Sequence, residues 1–189
     1  MVTILLAAGE SKRMGRAKLL LPYNNKPLII HSLTAAIESS SRVIVVTGFF
    51  NKEIEKAVES YLDRCEIVVN PTPHLGQFSS IQCGVKLLDG QKEFFLALAD
   101  MPLIKKEHYL QLIPFLHGHS AVRPFYGQRP GHPVLCSPKL EPSILDTPAD
   151  SAMHNVLEDK KVYNYRSTDK AYITDIDTPD SYENLIDSI

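Results

Sequence analysis

The chain has 189 residues, with 20 Lys or Arg against 22 Asp or Glu, so its formal net charge is −2. Because there is no basic excess to hold a polyanion by counterion release, nucleic acid is not expected as a partner. The hydrophobic content of 44% and the charged content of 22% are typical of a globular chain, and the length predicts one domain over residues 1–189.

The cysteines and the apolar runs indicate the cellular compartment of the protein. The three cysteines, Cys65, Cys83 and Cys136, are far apart and form no C-x-x-C pair, which argues against a disulfide framework and a zinc site. The apolar run from Val2 to Ala8 is too short to span a membrane and has no basic segment before it. We therefore expect a cytoplasmic protein with no membrane anchor.

The first half alternates short apolar runs with longer amphipathic stretches, which is typical of βαβ units. Because the apolar runs are continuous rather than alternating, we expect strands that are covered on both faces and form a mostly parallel sheet. The predicted strands are 2–7, 42–47, 66–69 and 94–99. The predicted helices are 27–39, 51–63, 79–88 and 106–112.

After Pro114 the pattern is irregular, and the predicted elements are short. Apolar pieces at 121–122, 133–136 and 162–165 and a helical stretch at 152–158 lie between many prolines. Near the end of the chain we expect a strand at 172–175 and a helix that is capped by Thr178 and has Pro179 in its first position.

The loop after the first strand carries the strongest chemical pattern, Leu5-Leu6-Ala7-Ala8-Gly9-Glu10-Ser11-Lys12-Arg13-Met14-Gly15-Arg16-Ala17-Lys18. Its small residues leave room for a nucleobase and ribose, while Arg13 and Lys18 can reach a triphosphate. The loop lacks G-x-G-x-x-G and a Walker lysine, which disfavours a dehydrogenase or a P-loop ATPase. A solvated basic loop without a ligand is the alternative.

This segment resembles the pattern L-A-A-G-x-S-x-R-M-G-x-x-K of the MobA-like nucleotidyltransferases, and especially of their MocA branch, the molybdopterin cytidylyltransferases. The resemblance implies a Rossmann-like three-layer α/β/α sandwich of the nucleotide-diphospho-sugar transferase type. It also implies an NTP-binding half at about 1–102 and an acceptor-binding half at about 103–189.

Two further segments resemble metal-binding motifs of the same family. Leu98-Ala99-Asp100-Met101-Pro102 is similar to its G-D-M-P, with Ala99 in place of glycine, and Asp175-Ile176-Asp177-Thr178-Pro179 is similar to its D-I-D-T-P. The resemblance implies that Asp100 and Asp177 bind Mg²⁺, which needs only one or two carboxylates beside phosphate and water. Taken alone, each aspartate can equally be a turn or cap residue.

The remaining site residues come from two more segments of the resemblance. The loop from Gly76 to Gly84 is similar to the family's base-selecting loop, with Gly76 and Ser80 as contacts, although Ser79 can simply cap the following helix. The implied nucleotide-binding set is Leu6, Ala7, Ala8, Gly9, Arg13, Lys18, Gly76, Ser80 and Asp100.

The acceptor half is represented by Gly131-His132-Pro133-Val134, which is similar to the G-H-P-V of the MocA branch. The implied acceptor-binding set is Met101, Pro102, Gly131, His132 and Asp150, although a lone histidine before proline is more often structural. The family's G-D-x-G-A-R loop is not retained: residues 147–154 keep the aspartate, Asp150, and lose both glycines and the arginine.

The implied reaction is transfer of CMP from CTP to a phosphorylated acceptor of the molybdopterin type, with release of pyrophosphate. Arg13, Lys18, Asp100 and Asp177 are the implied catalytic residues, and a molybdoenzyme or its chaperone is a possible partner. CTP is expected because Ala7-Ala8-Gly9 is similar to the cytidylyl branch, whereas guanylyl relatives usually have L-A-G-G. The alternatives are GTP, a sugar or polyol phosphate acceptor, or a non-catalytic cofactor chaperone.

Overall fold

The structure is a computed structural model that describes residues 1–90 and 92–187. The strands are β1 (Val2–Ala7), β2 (Pro22–Tyr23), β3 (Lys26–Pro27), β4 (Arg42–Thr47), β5 (Glu66–Val69), β6 (Phe94–Leu98), β7 (Ala121–Tyr126), β8 (Arg129–Pro130), β9 (Val134–Cys136) and β10 (Val162–Ser167). The helices are α1 (Leu28–Ser39), α2 (Asn51–Ala57), α3 (Gln77–Val85), α4 (Lys106–Leu110), α5 (Glu141–Asp146), α6 (Met153–Leu157) and α7 (Pro179–Asp187).

The main sheet has the strand order β10-β7-β9-β6-β1-β4-β5, with β8 beside the end of β7, and β2 and β3 form a separate hairpin. Strand β1 lies parallel to both β4 and β6, β4 lies parallel to β5, and β7 lies parallel to β10. Strand β9 runs antiparallel to β6 and β7. The prediction of a mostly parallel sheet is therefore confirmed.

Helices cover both faces of this sheet because successive strand residues point to opposite sides. Leu5 belongs to a buried cluster with Ile29 of α1 and Tyr109 of α4, whereas Ile4 belongs to a second cluster with Ile81 of α3 and Ile144 of α5. The three-layer α/β/α arrangement is confirmed.

The predicted strand boundaries in the first half agree closely with the structure, whereas the helices are shorter. The helix predicted at 51–63 ends at Ala57 and continues as a separate 3₁₀ turn at Glu59–Tyr61. Helix α3 begins at Gln77, after Gly76 with a φ of +100°, and ends at Val85. Ser79 is thus the third residue of α3 and does not cap it; its hydroxyl donates to the Gly76 carbonyl at 2.7 Å.

The strand predicted at 172–175 is wrong. This segment begins as a 3₁₀ turn at Lys170–Ile173, and the Asp169 carboxylate accepts a hydrogen bond from the Ala171 amide. No strand pairs with it in the described residues. Tyr172 is fully buried instead, and its carbonyl accepts a hydrogen bond from the His132 amide at 2.9 Å.

The C-terminal helix α7 packs over the loop that follows β1. Leu185 and Ile176 share a third buried cluster with Met14, Leu21, Tyr23 and Leu28. The predicted cap is confirmed, since the Thr178 hydroxyl accepts from the Ser181 amide at 3.2 Å. Among the described residues, no helix has the length and apolarity required to cross a membrane.

Candidate active site

A cleft of about 360 Å³ opens at the carboxyl edge of the sheet, where the loops after β1, β4 and β5 meet the end of β6. This is the usual place for a ligand in an open α/β sheet. Eight of the nine predicted nucleotide-binding residues line it: Leu6, Ala7, Ala8, Gly9, Lys18, Gly76, Ser80 and Asp100. The ninth, Arg13, is not among the lining residues.

Gly48, which directly follows β4, lets two of these loops approach each other. A Cβ at this position would lie 2.8 Å from the Ala8 carbonyl oxygen and 2.9 Å from Pro73 Cβ. Those distances are shorter than van der Waals contact, so any side chain here would push the loops apart. The wall of the cleft therefore depends on a glycine that sequence reasoning did not single out.

Lys18 connects two carboxylates that are far apart in the sequence. It lies in a 3₁₀ turn at Lys18–Leu20, and its side chain is 11% exposed. Its ammonium donates to Asp100 Oδ2 and, at 2.5 Å, to Asp177 Oδ1. The carboxylates of Asp100 and Asp177 therefore contact the same ammonium group and lie close enough together to share one small cation.

The position of Asp177 is fixed by its neighbours in the chain. The Ile176 amide donates to the Asp100 carbonyl oxygen at 3.0 Å, which joins the D-I-D-T-P segment to the end of β6. The Ser181 hydroxyl accepts from the Asp177 amide at 3.1 Å. On the solvent side, Arg13 Nη2 donates to Asp177 Oδ2 at 2.5 Å, with the Arg13 side chain 69% exposed.

The charges in this cluster shift the pKa values in different directions. Burial raises the pKa of Asp100, and the attraction of Lys18 offsets this only in part. Burial also acts to raise the pKa of Asp177, but Lys18 and Arg13 outweigh it, so that its pKa is lowered. The pKa of Lys18 is raised because the two aspartates outweigh the effect of burial on the ammonium.

The donor set fits a hard divalent cation that arrives with phosphate. Asp100 and Asp177 supply two carboxylates at one point, which is the number that Mg²⁺ typically takes from a protein. In residues 1–90 and 92–187, no group of three or more His, Cys, Asp or Glu side chains is arranged to hold a metal unaided. A cation here would need phosphate and water for its remaining ligands.

The hydroxyls of Ser79 and Ser80 are hydrogen-bonded to Asn70, a buried residue just after β5. The Asn70 side-chain amide donates to both hydroxyls, at 2.8 Å to Ser79 and 2.9 Å to Ser80. The side-chain oxygen of Asn70, Oδ1, in turn accepts from the Thr72 amide at 2.9 Å. This network fixes the start of α3 against the cleft, and its centre, Asn70, was missed by the sequence analysis.

Other cleft residues were also missed because they lie outside the recognised motifs. They follow β4 and β5, where the ends of neighbouring parallel strands bring loops together, and this position is the signal that could have identified them. These lining residues are Phe49, Pro73 and His74, whereas Gln77, which also lines the cleft, lies within the recognised segment from Gly76 to Gly84.

None of the predicted acceptor-binding residues lines the cleft. Met101 is buried in the core under α4, and Pro102 lines a separate groove with residues of α1. Asp150 is exposed in the loop between α5 and α6. Gly131 is buried, and a Cβ there would lie 2.0 Å from the Tyr172 carbonyl oxygen. Their contact with an acceptor stays a prediction.

His132 lies beside β6 and is partly exposed. Its Nδ1 donates to the Leu96 carbonyl oxygen at 3.3 Å. Burial, with a smaller contribution from the charge of Arg123, lowers the pKa of His132 to about 4. The imidazole is therefore neutral at physiological pH and suits a wall of a pocket better than an acid catalyst.

Comparison with known proteins identifies the family. The sequence model of the MobA-like NTP transferase domain matches residues 3–170. The chain belongs to the MobA-like NTP transferase family. It is thus a nucleotidyltransferase of this family, and Asp177 lies outside the matched residues.

Two curated relatives of this MobA-like chain cover almost its full length. It is 29% identical over 181 residues to the molybdenum cofactor cytidylyltransferase of Escherichia coli K12, spanning 95% of this chain and 92% of the relative. It is 26% identical over 194 residues to the purine catabolism protein PucB of Bacillus subtilis 168, spanning 97% and 94%.

A solved structure confirms the fold of this MobA-like chain. Rv0371c from Mycobacterium tuberculosis H37Rv superposes with a TM-score of 0.87 at 22% identity and covers 98% of this chain and 96% of the mycobacterial one. At that identity the likeness supports the fold alone, and substrate assignment depends on the site.

Proposed function

We propose that this nucleotidyltransferase transfers CMP from CTP to the terminal phosphate of a molybdopterin-type acceptor and releases pyrophosphate. The observation that carries the proposal is the convergence of Asp100 and Asp177 on Lys18 at the mouth of the cleft. A carboxylate pair beside a lysine and an arginine suits binding of a metal triphosphate, which a chaperone that merely holds a cofactor does not need.

The chemistry requires little beyond positioning. A phosphate monoester is largely ionised at neutral pH, so the acceptor oxygen can attack the α-phosphorus without a general base, and catalysis rests on orientation and on neutralisation of charge. Lys18 is nearly buried and has a raised pKa, so it keeps its positive charge and is suited to bind phosphate oxygens. Arg13 extends from the same cluster into solvent and suits the departing pyrophosphate.

Asp100 and Asp177 would hold the Mg²⁺ that this class of reaction uses. When bound, the ion neutralises charge on the phosphates at the reacting centre. The two side chains have unequal exposures of 16% and 30%, so Asp177 faces the solvent from which a metal triphosphate would enter.

Base preference is proposed from the wall of the cleft. Because the side chains of Ala7 and Ala8 are small and Gly9 has none, a nucleobase can approach the backbone of these residues closely. The space beside Gly9 is open, since a Cβ on Gly9 would meet nothing within 4 Å. The E. coli relative named a cytidylyltransferase supports CTP over GTP. The acceptor is proposed on the same ground, with a cytoplasmic location and delivery of the product to a molybdoenzyme or its chaperone.

A binding competition and an activity assay test this proposal. Calorimetry with Mg²⁺ and each of CTP, GTP, ATP and UTP should show tightest binding of CTP, and CTP with molybdopterin should release pyrophosphate. If GTP binds more tightly, or if a sugar or polyol phosphate yields pyrophosphate where molybdopterin does not, the corresponding alternative replaces the proposal.

A matched pair of variants tests the metal-binding carboxylates. Asp100→Asn should lower turnover by roughly a hundredfold or more, because loss of a charged group at the reacting centre typically costs that much. Asp63→Asn changes an exposed aspartate outside the cleft and should keep wild-type turnover. Wild-type turnover in Asp100→Asn, or absence of Mg-NTP binding by the unaltered protein, would exclude the catalytic role.

A further inference from the structure

Two arginines in the acceptor half lie against one aromatic ring. Arg123 and Phe125 belong to β7, and Arg166 belongs to the neighbouring strand β10. The guanidinium carbons of Arg123 and Arg166 lie 5.8 Å and 5.4 Å from the centre of the Phe125 ring. The ring thus holds two positive charges close together.

These side chains share the face of the sheet that is covered by α3, α5 and α6. Ala121 and Val162, which also lie on β7 and β10, contact the buried cluster on that face. Because alternate strand residues point to the same side, Arg123, Phe125 and Arg166 continue this row towards the carboxyl edge. That edge also holds the cleft, because β9 reverses direction between β6 and β7.

Arg123 is half-buried, and one of its guanidinium donors has no partner. Its Nε is buried without a hydrogen-bond partner, and in residues 1–90 and 92–187 no carboxylate forms an ion pair with the side chain. Nearby His132 is neutral and does not balance the charge. A buried donor without a partner on a cation is costly, which points to a ligand that supplies the missing acceptor.

The position of the pair separates it from the reacting centre. Strand β7 is two places from β6, which is about 10 Å across the sheet, and the register places Arg123 level with Leu96, four residues or about 13 Å before Asp100. The backbone positions of Arg123 and Asp100 are therefore roughly 16 Å apart. An anion bound by Arg123 is therefore a different group from the phosphate that reacts beside Asp100 and Asp177.

We propose that Arg123 and Arg166, on the Phe125 ring, form an anion subsite that binds a second negatively charged group of the acceptor, on the order of 15 Å from its reacting phosphate. This rests on the proposed function, in which the acceptor lies across this half of the sheet. It makes Arg123 a specificity-determining residue that selects acceptors with two anionic ends. Arg166, whose Nη1 donates to the Gly127 carbonyl at 2.8 Å, borders the subsite from the edge strand.

The first experiment uses inorganic sulfate as the probe and needs no turnover. The rise in melting temperature in sodium sulfate, relative to sodium chloride at equal ionic strength, is measured for wild type, Arg123→Gln, Arg166→Gln and the control Arg64→Gln. Arg64 is exposed and lies before β5, at the opposite edge of the sheet. We expect a smaller rise in the first two variants than in wild type and no change in the control. Equal rises in all four proteins would overturn the subsite.

The second experiment assigns the anion to acceptor or nucleotide. With Arg123→Gln we expect unchanged Mg-CTP binding by calorimetry and a KM for molybdopterin that is roughly tenfold to a hundredfold higher at nearly constant kcat, with partial recovery in Arg123→Lys. Weaker Mg-CTP binding would assign the arginine to the triphosphate and overturn the proposal. Loss of folding stability in Arg123→Gln with an unchanged KM would also overturn it, since that is the result of a purely structural role.

The two experiments separate this proposal from the proposed function. If the sulfate response depends on Arg123 while wild type shows no turnover with molybdopterin, the proposed acceptor is wrong and the anion subsite stands. If molybdopterin turns over normally in every variant, the proposed function stands and the subsite does not.

Discussion

At the scale of single residues, the two carboxylates of the site are not equivalent. Asp100 is the more buried and has a raised pKa, so its ionisation depends on contact with the Lys18 ammonium. Asp177 is more exposed, contacts both Lys18 and Arg13, and has a lowered pKa, so it stays ionised over the physiological range. Lys18 therefore has two functions in the proposed site, since it favours the charged form of Asp100 and is available to phosphate.

The lowered pKa of His132 predicts a loss of stability in mild acid. Its pKa is about 4 in the folded protein, against 6.5 in the unfolded chain, so the unfolded state binds the extra proton between these values. The contribution of His132 is fully present above pH 6.5 and is lost as the pH falls towards 4. At 1.36 kcal/mol per pKa unit, this loss amounts to about 3 kcal/mol.

Urea unfolding of wild type and His132→Gln at several pH values measures this effect. The glutamine amide can still donate to the Leu96 carbonyl but does not titrate. The difference in unfolding free energy, wild type minus variant, should fall as the pH drops from 7 to 4. A difference that stays constant over this range would show that His132 is not held in its neutral form.

At the scale of elements, the cleft depends on the approach of the loops after β1, β4 and β5. Gly48→Ala would place a methyl group against the Ala8 carbonyl and Pro73, so the loops must separate. We expect a stability loss of about 1 to 3 kcal/mol, as is usual for overpacking, together with weaker Mg-NTP binding. Gly9→Ala, whose Cβ would meet nothing within 4 Å, is the matched control for stability. Equal melting temperatures for the two variants would contradict the predicted crowding.

The segment that bears Asp177 is held by the apolar cluster beneath α7. Ile176→Ala removes a fully buried side chain from that cluster and should cost roughly 2 to 4 kcal/mol of unfolding free energy. Because the next residue is Asp177, Mg-NTP affinity should fall as well. Leu140→Ala makes a comparable cavity in the separate cluster that α3 and α5 share with the sheet, and it should reduce stability without changing affinity. Calorimetry that shows the same affinity for both variants would disprove this coupling.

The elements that sequence reasoning predicted best are those whose pattern is decided locally. Strands β1, β4 and β5 were predicted with their observed boundaries because each is a continuous apolar run in a parallel sheet. The segment at 172–175 was assigned wrongly because Tyr172 is buried by tertiary contacts that a local pattern does not contain. Similarly, β7 continues from the predicted pair Ala121–Val122 to Tyr126, since pairing with β10 and not local hydrophobicity extends it.

For the site, sequence motifs predicted the functional residues within each segment, and the structure shows which residues of different segments are in contact. Lys18, Asp100 and Asp177 were predicted from three separate motifs and lie in contact. Gly48 and Asn70 belong to no recognised motif, and their importance arises from close approaches between loops. Arg123 was missed for the same reason, because a buried donor without a partner can be identified only after its neighbours are known.

At the scale of the whole molecule, the nucleotide and acceptor halves share one sheet and one core. Strand β6 of the first half pairs with β9 of the second, and the cluster around Leu5 also contains Tyr109 and Tyr172 from the acceptor half. We therefore expect a single cooperative unfolding transition for residues 1–189, in line with the prediction of one domain.

Coincident urea curves from far-ultraviolet circular dichroism and from tyrosine fluorescence would support this expectation. The chain has eight tyrosines and no tryptophan, so the fluorescence reports directly on residues such as Tyr109 and Tyr172. A fragment of residues 1–102, which lacks β9, should fail to show a cooperative transition. Two separate transitions in the full chain, or a stably folded fragment, would show that the halves are independent.

The antiparallel direction of β9 also determines where insertions can be made in the protein. Because β7 and β10 regain the direction of β1, β4 and β6, the loops of both halves that follow these strands open on the same rim of the sheet. The opposite rim carries connections such as the exposed turn at Ser41 before β4, which take no part in the proposed chemistry. Peptide insertions or fused domains should be tolerated on that rim, because its connections do not contribute to catalysis.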